Sequence, residues 1–421
     1  MRGCVYLRES SRSTLVARWL QTARLSTLSV PCTLVAPELL DLRADSKRRV
    51  ENREGAVGIV DMPRYRNRDS AFYAELRRRV AAHMTEKGLS RHAGARMFGK
   101  TATIFGAFFA SYFLILTNHF TGAALFFALV FMHFSLFLTT IGVAHDATHY
   151  CYFKNRRANE AMWIIFDLLG VNSHFWVKTH VHSHHHAPNV AFYDSAVESF
   201  SIVRLHPKTK YHPIARYQHF YMFAIYGLAT LFQCYLLELV SIKKNFIGFR
   251  DGDRKSRLSV AKMYFFKLFM AGYSFIVPLV LVNAPSWQIV LGCLVGHLVC
   301  GTTIGVVFMT THLAQDTMFP EADEDNVLHQ PHAEHILATT ADFSVGNPLV
   351  TWIAGGLNLH VAHHLFPSIS QVHLPEITKI VKEVAREYGL RYREYSLFGA
   401  LRSHVRLLKH LGSLPSHPAG P

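Results

Sequence analysis

"GAALFFALVFMHFSLFLTTIGVAHDATH" (Gly122–His149) begins as a membrane span and ends in a pair of histidines. Its apolar part, Gly122–Val143, carries no Asp, Glu, Lys or Arg, and a helix of roughly 17–25 apolar residues crosses a bilayer. His145 and His149 thus leave the span together, one helical turn apart. Just upstream, "TATIFGAFFASYFLILT" (Thr101–Thr117) is a second uncharged run, separated from the first only by "NHFT". Two later runs, Leu268–Val282 (beginning near Met263) and Trp287–Met309, flank a tight "NAPS". The pattern predicts an all-α integral membrane protein. Four transmembrane helices, at about 101–117, 122–143, 263–282 and 287–309, form two hairpins, joined by interfacial helices.

The bulk composition agrees. Half of the 421 residues are hydrophobic, 31 are Phe and only 17% are charged. Mean hydropathy is +0.14, above that of an ordinary soluble protein. The net charge of +15 is carried beside the apolar runs, which points to membrane lipid and not to nucleic acid. Arg77–Lys100, Lys154–Lys262 and the tail after Lys379 are rich in Lys and Arg, and the two hairpin tips have none. The hydrophilic regions 144–262 and 310–412 are therefore expected on the cytoplasmic side, as a helical cap. The protein is expected in the cell inner membrane if bacterial, or the endoplasmic reticulum if eukaryotic. The six cysteines (Cys4, Cys32, Cys151, Cys234, Cys293, Cys300) lack close pairing and read as reduced and structural. Residues 1–60, rich in Arg, Ser and Leu, read as a disordered extension. They are either a targeting peptide or sequence upstream of a true start at Met62. The domain runs over 62–412, with a tail at 413–421.

Three histidine clusters stand out: "HDATH" (145–149), "HVHSHHH" (180–186) and "HVAHH" (360–364). On a helix, positions i and i+3 or i+4 share a face. That pairs His145 with His149, His180 with His184, and His360 with His363. The adjacent His185 and His364 then reach toward a second metal. A solvated loop or a metal-scavenging tract would explain one such cluster, but not three spaced ones. Eight imidazoles exceed the four ligands of a zinc site, and an all-nitrogen set with open positions suits two iron ions. The implied chemistry is dioxygen activation and attack on an unactivated C–H bond.

One site requires the clusters to share a membrane face, hence an even number of crossings between them. The second hairpin supplies two. The ambiguous run Phe220–Val240, carrying Gln233 and Glu238, is therefore expected to be interfacial or re-entrant. "MWIIFDLLGV" (Met162–Val171) is too short to cross and is expected on the membrane surface or lining a pocket.

"HDATHY", "WVKTHVHSHHHAPN" and "GGLNLHVAHHLFP" resemble the three histidine boxes of membrane fatty acid desaturases. "THLAQDTMFP", "ATTADF" and "ARYQHFY" resemble flanking segments of linoleoyl-type and front-end desaturases. The resemblance implies metal ligands at His145 and His149 in the first box and at His360, His363 and His364 in the third. In the second box the family's Asn falls four residues after the paired histidines, so Asn189 selects His180, His184 and His185. A register using His182, His185 and His186 has the spacing of the third box and stays open. His312, where the last span ends, is an expected ninth ligand. Asp146, Asn189 and Asn358 are expected to orient imidazoles. Front-end enzymes usually begin the third box with Gln. The His360 here leaves the position of the double bond open.

Other signals are set aside. His133 and His297 lie about 18 and 22 Å along their helices from His145 and His312, and are expected to hydrogen-bond between helices. His329, His332 and His335 read as a surface loop. "GARMFGKT" (Gly94–Thr101) matches a phosphate-loop pattern by chance, since a membrane span follows it. The terminal "HPAG" has no cytochrome b5 domain around it, and no dinucleotide motif occurs. Electrons are expected from a separate acidic ferredoxin or cytochrome b5, with its reductase.

The reading is thus an O2-dependent acyl desaturase acting on an acyl lipid, acyl-CoA or acyl carrier protein. A hydroxylase or ketolase with the same boxes is the near alternative. A His-rich cation transporter is the distant one, but it would place ligands at mid-membrane.

Overall fold

The computed structural model describes residues 62–197, 202–244 and 257–414; the extension at 1–60 lies outside the described residues. Ten helices carry the argument: α1 (Ala71–Glu86), α2 (Ala95–Leu116), α3 (Gly122–Thr139), α4 (Gln218–Tyr235), α5 (Arg257–Ala271), α6 (Ser286–His312), α7 (His332–Thr339), α8 (His360–Leu365), α9 (Leu374–Glu387) and α10 (Leu397–Ser413). Among the described residues the only strands are two-residue parallel pairs: β1 (Arg64–Tyr65) with β2 (Val327–Leu328), and β3 (Asp342–Phe343) with β4 (Glu394–Tyr395). The fold is all-α.

Four helices are long and apolar enough to cross a membrane: Ala95–Leu116, Gly122–Thr148, Val260–Leu281 and Ser286–His312. Their outer faces expose Phe109, Phe113, Phe127, Leu268 and Val280, as a lipid-facing surface would. The hairpin tips meet. Asn118, in the left-handed conformation, accepts from Asn283 N at 2.6 Å and donates to Leu281 O at 3.2 Å.

Small residues let α6 approach both neighbours closely, the usual solution where hydrophobicity cannot drive helices together. A Cβ on Gly296 would stand 2.7 Å from the His133 side chain on α3, and one on Gly301 would stand 2.4 Å from the α4 carbonyls of Tyr226 and Gly227. His133 and His297 meet at this level, their ring centroids 5.1 Å apart. His133 bonds to Leu129 O within its own helix, and His297 to Thr230 Oγ1 across to α4.

α4 is not among the four long apolar helices. Its C-terminal carbonyls need partners, because buried backbone groups cannot be left unpaired. Lys267 of α5 supplies one, donating to Cys234 O at 2.8 Å and to Gly170 O at 2.7 Å, while its ammonium sits 2.5 Å from Glu238. Glu238 also accepts from Asn172 N. "MWIIFDLLGV" is folded into this region and largely buried. Asp167 binds Ser173 and Lys262, and Phe166 stacks on Trp176. "GARMFGKT" enters α2 at Ala95, so it forms no phosphate-binding loop, and Lys100 donates to Gln371.

The Lys267–Glu238 pair yields a test. Lys267→Met strands a buried carboxylate and should cost about 3–5 kcal/mol, read as a lower melting temperature in detergent. Adding Glu238→Leu should recover most of that loss, because the stranded charge is then gone.

Candidate metal centre

The three histidine clusters converge where α3 and α6 end. The first lies on the continuation of α3, after a π-helical turn at Thr140–Ala144. The second is itself a π-helical segment, Val177–His184. The third begins α8, capped by Asp342, whose carboxylate accepts from Val361 N at 2.9 Å.

Nine imidazoles form two groups. His145, His149, His180, His185 and His363 offer one nitrogen each within 4.8 Å of one another, and so do His184, His312, His360 and His364. All nine belong to the expected set, and none is more than 8% exposed. Nε2 atoms face each other at 2.9 Å for His145 and His180, 3.1 Å for His363 and His185, and 3.2 Å for His312 and His364. His185 and His364 stack at 4.1 Å and link the groups. His182 is exposed, and His186 is tied to Pro63 O at 2.8 Å. Neither joins a group, so the alternative register finds no geometric support.

The division between groups differs from the helical expectation. His180 sits with His185, not His184. A π turn closes over five residues, and His185 N bonds to His180 O at 3.0 Å. In the third cluster His360 sits with His364, its i+4 neighbour, and His363 points to the other group.

Burial opposes charging of six of these rings. It pushes His149 down to about 3 and His180, His185, His360, His363 and His364 well below the usual 6.5, with the neighbouring imidazoles adding repulsion. For three rings an oxygen at Nδ1 fixes the proton there and turns the Nε2 lone pair inward. The oxygens are Asp194 Oδ1 for His184 (3.0 Å), Thr339 O for His312 (3.2 Å) and Leu357 O for His360 (2.9 Å). The Nε2 atoms of His149, His184 and His360 are buried without a protein partner. A cation in each group would satisfy them, His149 in one and His184 with His360 in the other, so the residues fit a metal.

The three expected orienting residues touch no imidazole. Asp146 accepts from Ser370 Oγ, Gln371 N and Gln371 Nε2, which ties the first cluster to the chain beyond the third. Asn189 donates to His312 O and Met318 O, and Asn358 to Phe343 O. Their side chains fix backbone and neighbouring polar side chains, and no hydrogen bond joins them to a ring of either group. The carboxylate on a ring is Asp194, which also accepts from Asn189 N and Ala196 N. It lies ten residues beyond His184, and no spacing rule singled it out. His332 and His335 also depart from the surface-loop expectation. They belong to α7, and His335 is fully buried, bonded to Pro188 O at 2.9 Å. Only His329 is on the surface, beside Asp323.

On the membrane side the centre is walled by aromatics. Trp176 stacks on His180 at 4.9 Å, and Phe308 packs edge-on against His180 and His360 at 6.1 Å.

Fold and site together define a membrane protein with a buried polyhistidine metal site at the ends of its spanning helices. A sequence model of the fatty acid desaturase family matches residues 120–396, and the chain belongs to that family of oxidoreductases. It is 29% identical over 345 residues to the sn-1 linoleoyl-lipid 6-desaturase of Synechocystis sp., covering 81% of this chain and 95% of that one. An acyl-lipid (8-3)-desaturase of Physcomitrium patens is 29% identical, covering 81% and 72% respectively. The sn-1 linoleoyl-lipid 6-desaturase of Arthrospira platensis is 27% identical, covering 83% and 94%.

Two tests follow from the geometry. Asp194→Asn should lower metal affinity about 10–100-fold, measured as metal content after dialysis against a graded chelator. The second concerns pH. His149 holds its proton less readily folded than unfolded, so between pH 6.5 and about 3 the unfolded chain binds more protons. The metal-free chain should then lose stability as pH falls below 6.5, and change little above it. Denaturant midpoints measured from pH 8 to pH 5 check the sign.

Proposed function

We propose that the chain is a membrane di-iron fatty acyl desaturase, setting a cis double bond in an acyl chain with dioxygen and two electrons from a separate donor. The observation that carries this is the pair of all-imidazole groups, buried where two membrane-spanning helices end. The five-histidine group would hold one iron and the four-histidine group the other. Bound there, the irons would supply dioxygen activation and the oxidising power for an unactivated C–H bond.

The chain's own residues do the rest. Nine imidazoles would direct lone pairs at the metals, and Asp194, Thr339 O and Leu357 O keep Nδ1 protons of three of them out of the way. Burial keeps bulk water from the reacting carbon. Trp176 and Phe308 offer an apolar wall on which acyl methylenes can lie against the centre.

The domain spans 62–412, with both hairpin tips on the far side of the bilayer. α4 is re-entrant, so that all three histidine clusters share the cytoplasmic face. The names of the relatives favour an acyl lipid over acyl-CoA or acyl carrier protein as substrate.

Expression with a ferredoxin or cytochrome b5 donor, followed by gas chromatography–mass spectrometry of total fatty acids, tests this reading. A new cis-unsaturated species should appear, and should vanish in both His184→Ala and His363→Ala, one from each group. A hydroxylated product would move the protein to the hydroxylase branch. A wild type that retains two irons but yields no acyl product would point to a wrong donor or a non-acyl substrate.

A further inference from the structure

A second histidine–aromatic cluster lies beside the centre and takes no part in holding it. Tyr65 of β1 is 9% exposed and sits against the second histidine cluster. Its hydroxyl donates to His186 O at 3.0 Å, and its ring meets His332 edge-on at 5.0 Å and His335 at 5.6 Å. His332, only partly buried, hydrogen-bonds to the His185 backbone. His185 belongs to the five-histidine group and stacks on His364 of the other. A route of bonded and touching rings thus runs from the surface at β1 to the junction of both groups. By contrast, Trp176 and Phe308 lead only toward the membrane core.

The surface end of this route carries three exposed arginines on the β1 side. Arg64, Arg66 and Arg68 flank Tyr65 in "RYRNR", are exposed, and make no side-chain hydrogen bond or ion pair among the described residues. The nearby acids are partly spoken for: Glu321 is paired with Lys208 and Asp323 with His329. Glu324 and Asp325 stay exposed on the β2 side.

We infer that the β1 surface, with Arg66 and Arg68 around Tyr65 and His332, is the face on which an acidic one-electron carrier protein docks, and through which its electron reaches the metals. The inference rests on the redox reading above. Each encounter oxidises the carrier by one electron and reduces the centre by one; no bond forms or breaks, and two encounters supply the pair. Arg66 and Arg68 attract the carrier, with the strength and salt dependence of exposed charge pairs. Tyr65 and His332 act as a tunnelling bridge, so they are positioning residues and not ligands.

The test uses the iron-loaded chain in nanodiscs, with a reduced acidic [2Fe–2S] ferredoxin and soluble cytochrome b5 as probes. Carrier binding is measured by titration calorimetry, and anaerobic reduction by stopped-flow absorbance. Arg66→Glu with Arg68→Glu should weaken carrier binding at least tenfold at low salt, with wild-type metal content and wild-type reduction by dithionite. Glu324→Lys with Asp325→Lys should not weaken it. Tyr65→Leu should bind the carrier normally yet be reduced at least tenfold more slowly by it, and Tyr65→Phe should keep the wild-type rate. Unchanged binding and reduction in the charge-reversed chain would overturn the assignment, as would a wild type reduced by dithionite but by neither carrier. Equal slowing of Tyr65→Leu with carrier and with dithionite would mean a structural latch, which also overturns it. A wild type that dithionite cannot reduce would instead sink the redox reading itself.

Discussion

Nine imidazoles packed into one buried volume have to converge as lone-pair donors, and burial together with neighbouring rings works against charging most of them. The rest of the structure follows from that constraint. Lone pairs have to converge, so protons have to be held on the outer nitrogens, and Asp194 and two backbone carbonyls do this. The carbonyls come from Thr339, at the end of α7, and Leu357, in the turn before α8. Helix ends are where unpaired backbone oxygens are available. A metal site built this way depends on where helices stop as much as on which side chains they carry.

The membrane half exists to bring those helix ends together. Glycines on α6 admit α3 and α4 to backbone distance, where hydrophobicity gives no drive for association. Lys267 then satisfies the end of α4 inside the protein, which lets an 18-residue helix finish without exposing carbonyls to lipid. Asp146 extends the same logic above the membrane, joining the first cluster to the chain beyond the third.

The centre has two unlike sides. Toward the membrane it is lined by Trp176 and Phe308, surfaces that suit an acyl chain and exclude water. Away from it lie Tyr65, His332 and exposed arginines. A reaction that takes its carbon substrate from lipid and its electrons from water benefits from such a separation, since the two reactants need never compete for one entrance.

Much of this was legible in the chain itself. Uncharged runs such as Gly122–Val143 mark spanning helices because bilayer thickness sets their length. The three clusters point to a metal site because so many imidazoles have no bland use. The nine histidines that converge are the nine that spacing and resemblance single out. What spacing misassigned was the partition between groups, since His180 pairs with His185 through a π turn that no residue pattern announces. Asp194, the burial of His335 and the Tyr65 cluster were also invisible, because each joins segments distant in sequence or lies off any helical period. Sequence by itself determined the helices, their apolar spans and the histidines that gather, which depend on local composition and periodicity. Only the tertiary structure decided which imidazoles gather in which group and which carboxylate holds a ring, because those depend on where separate segments meet.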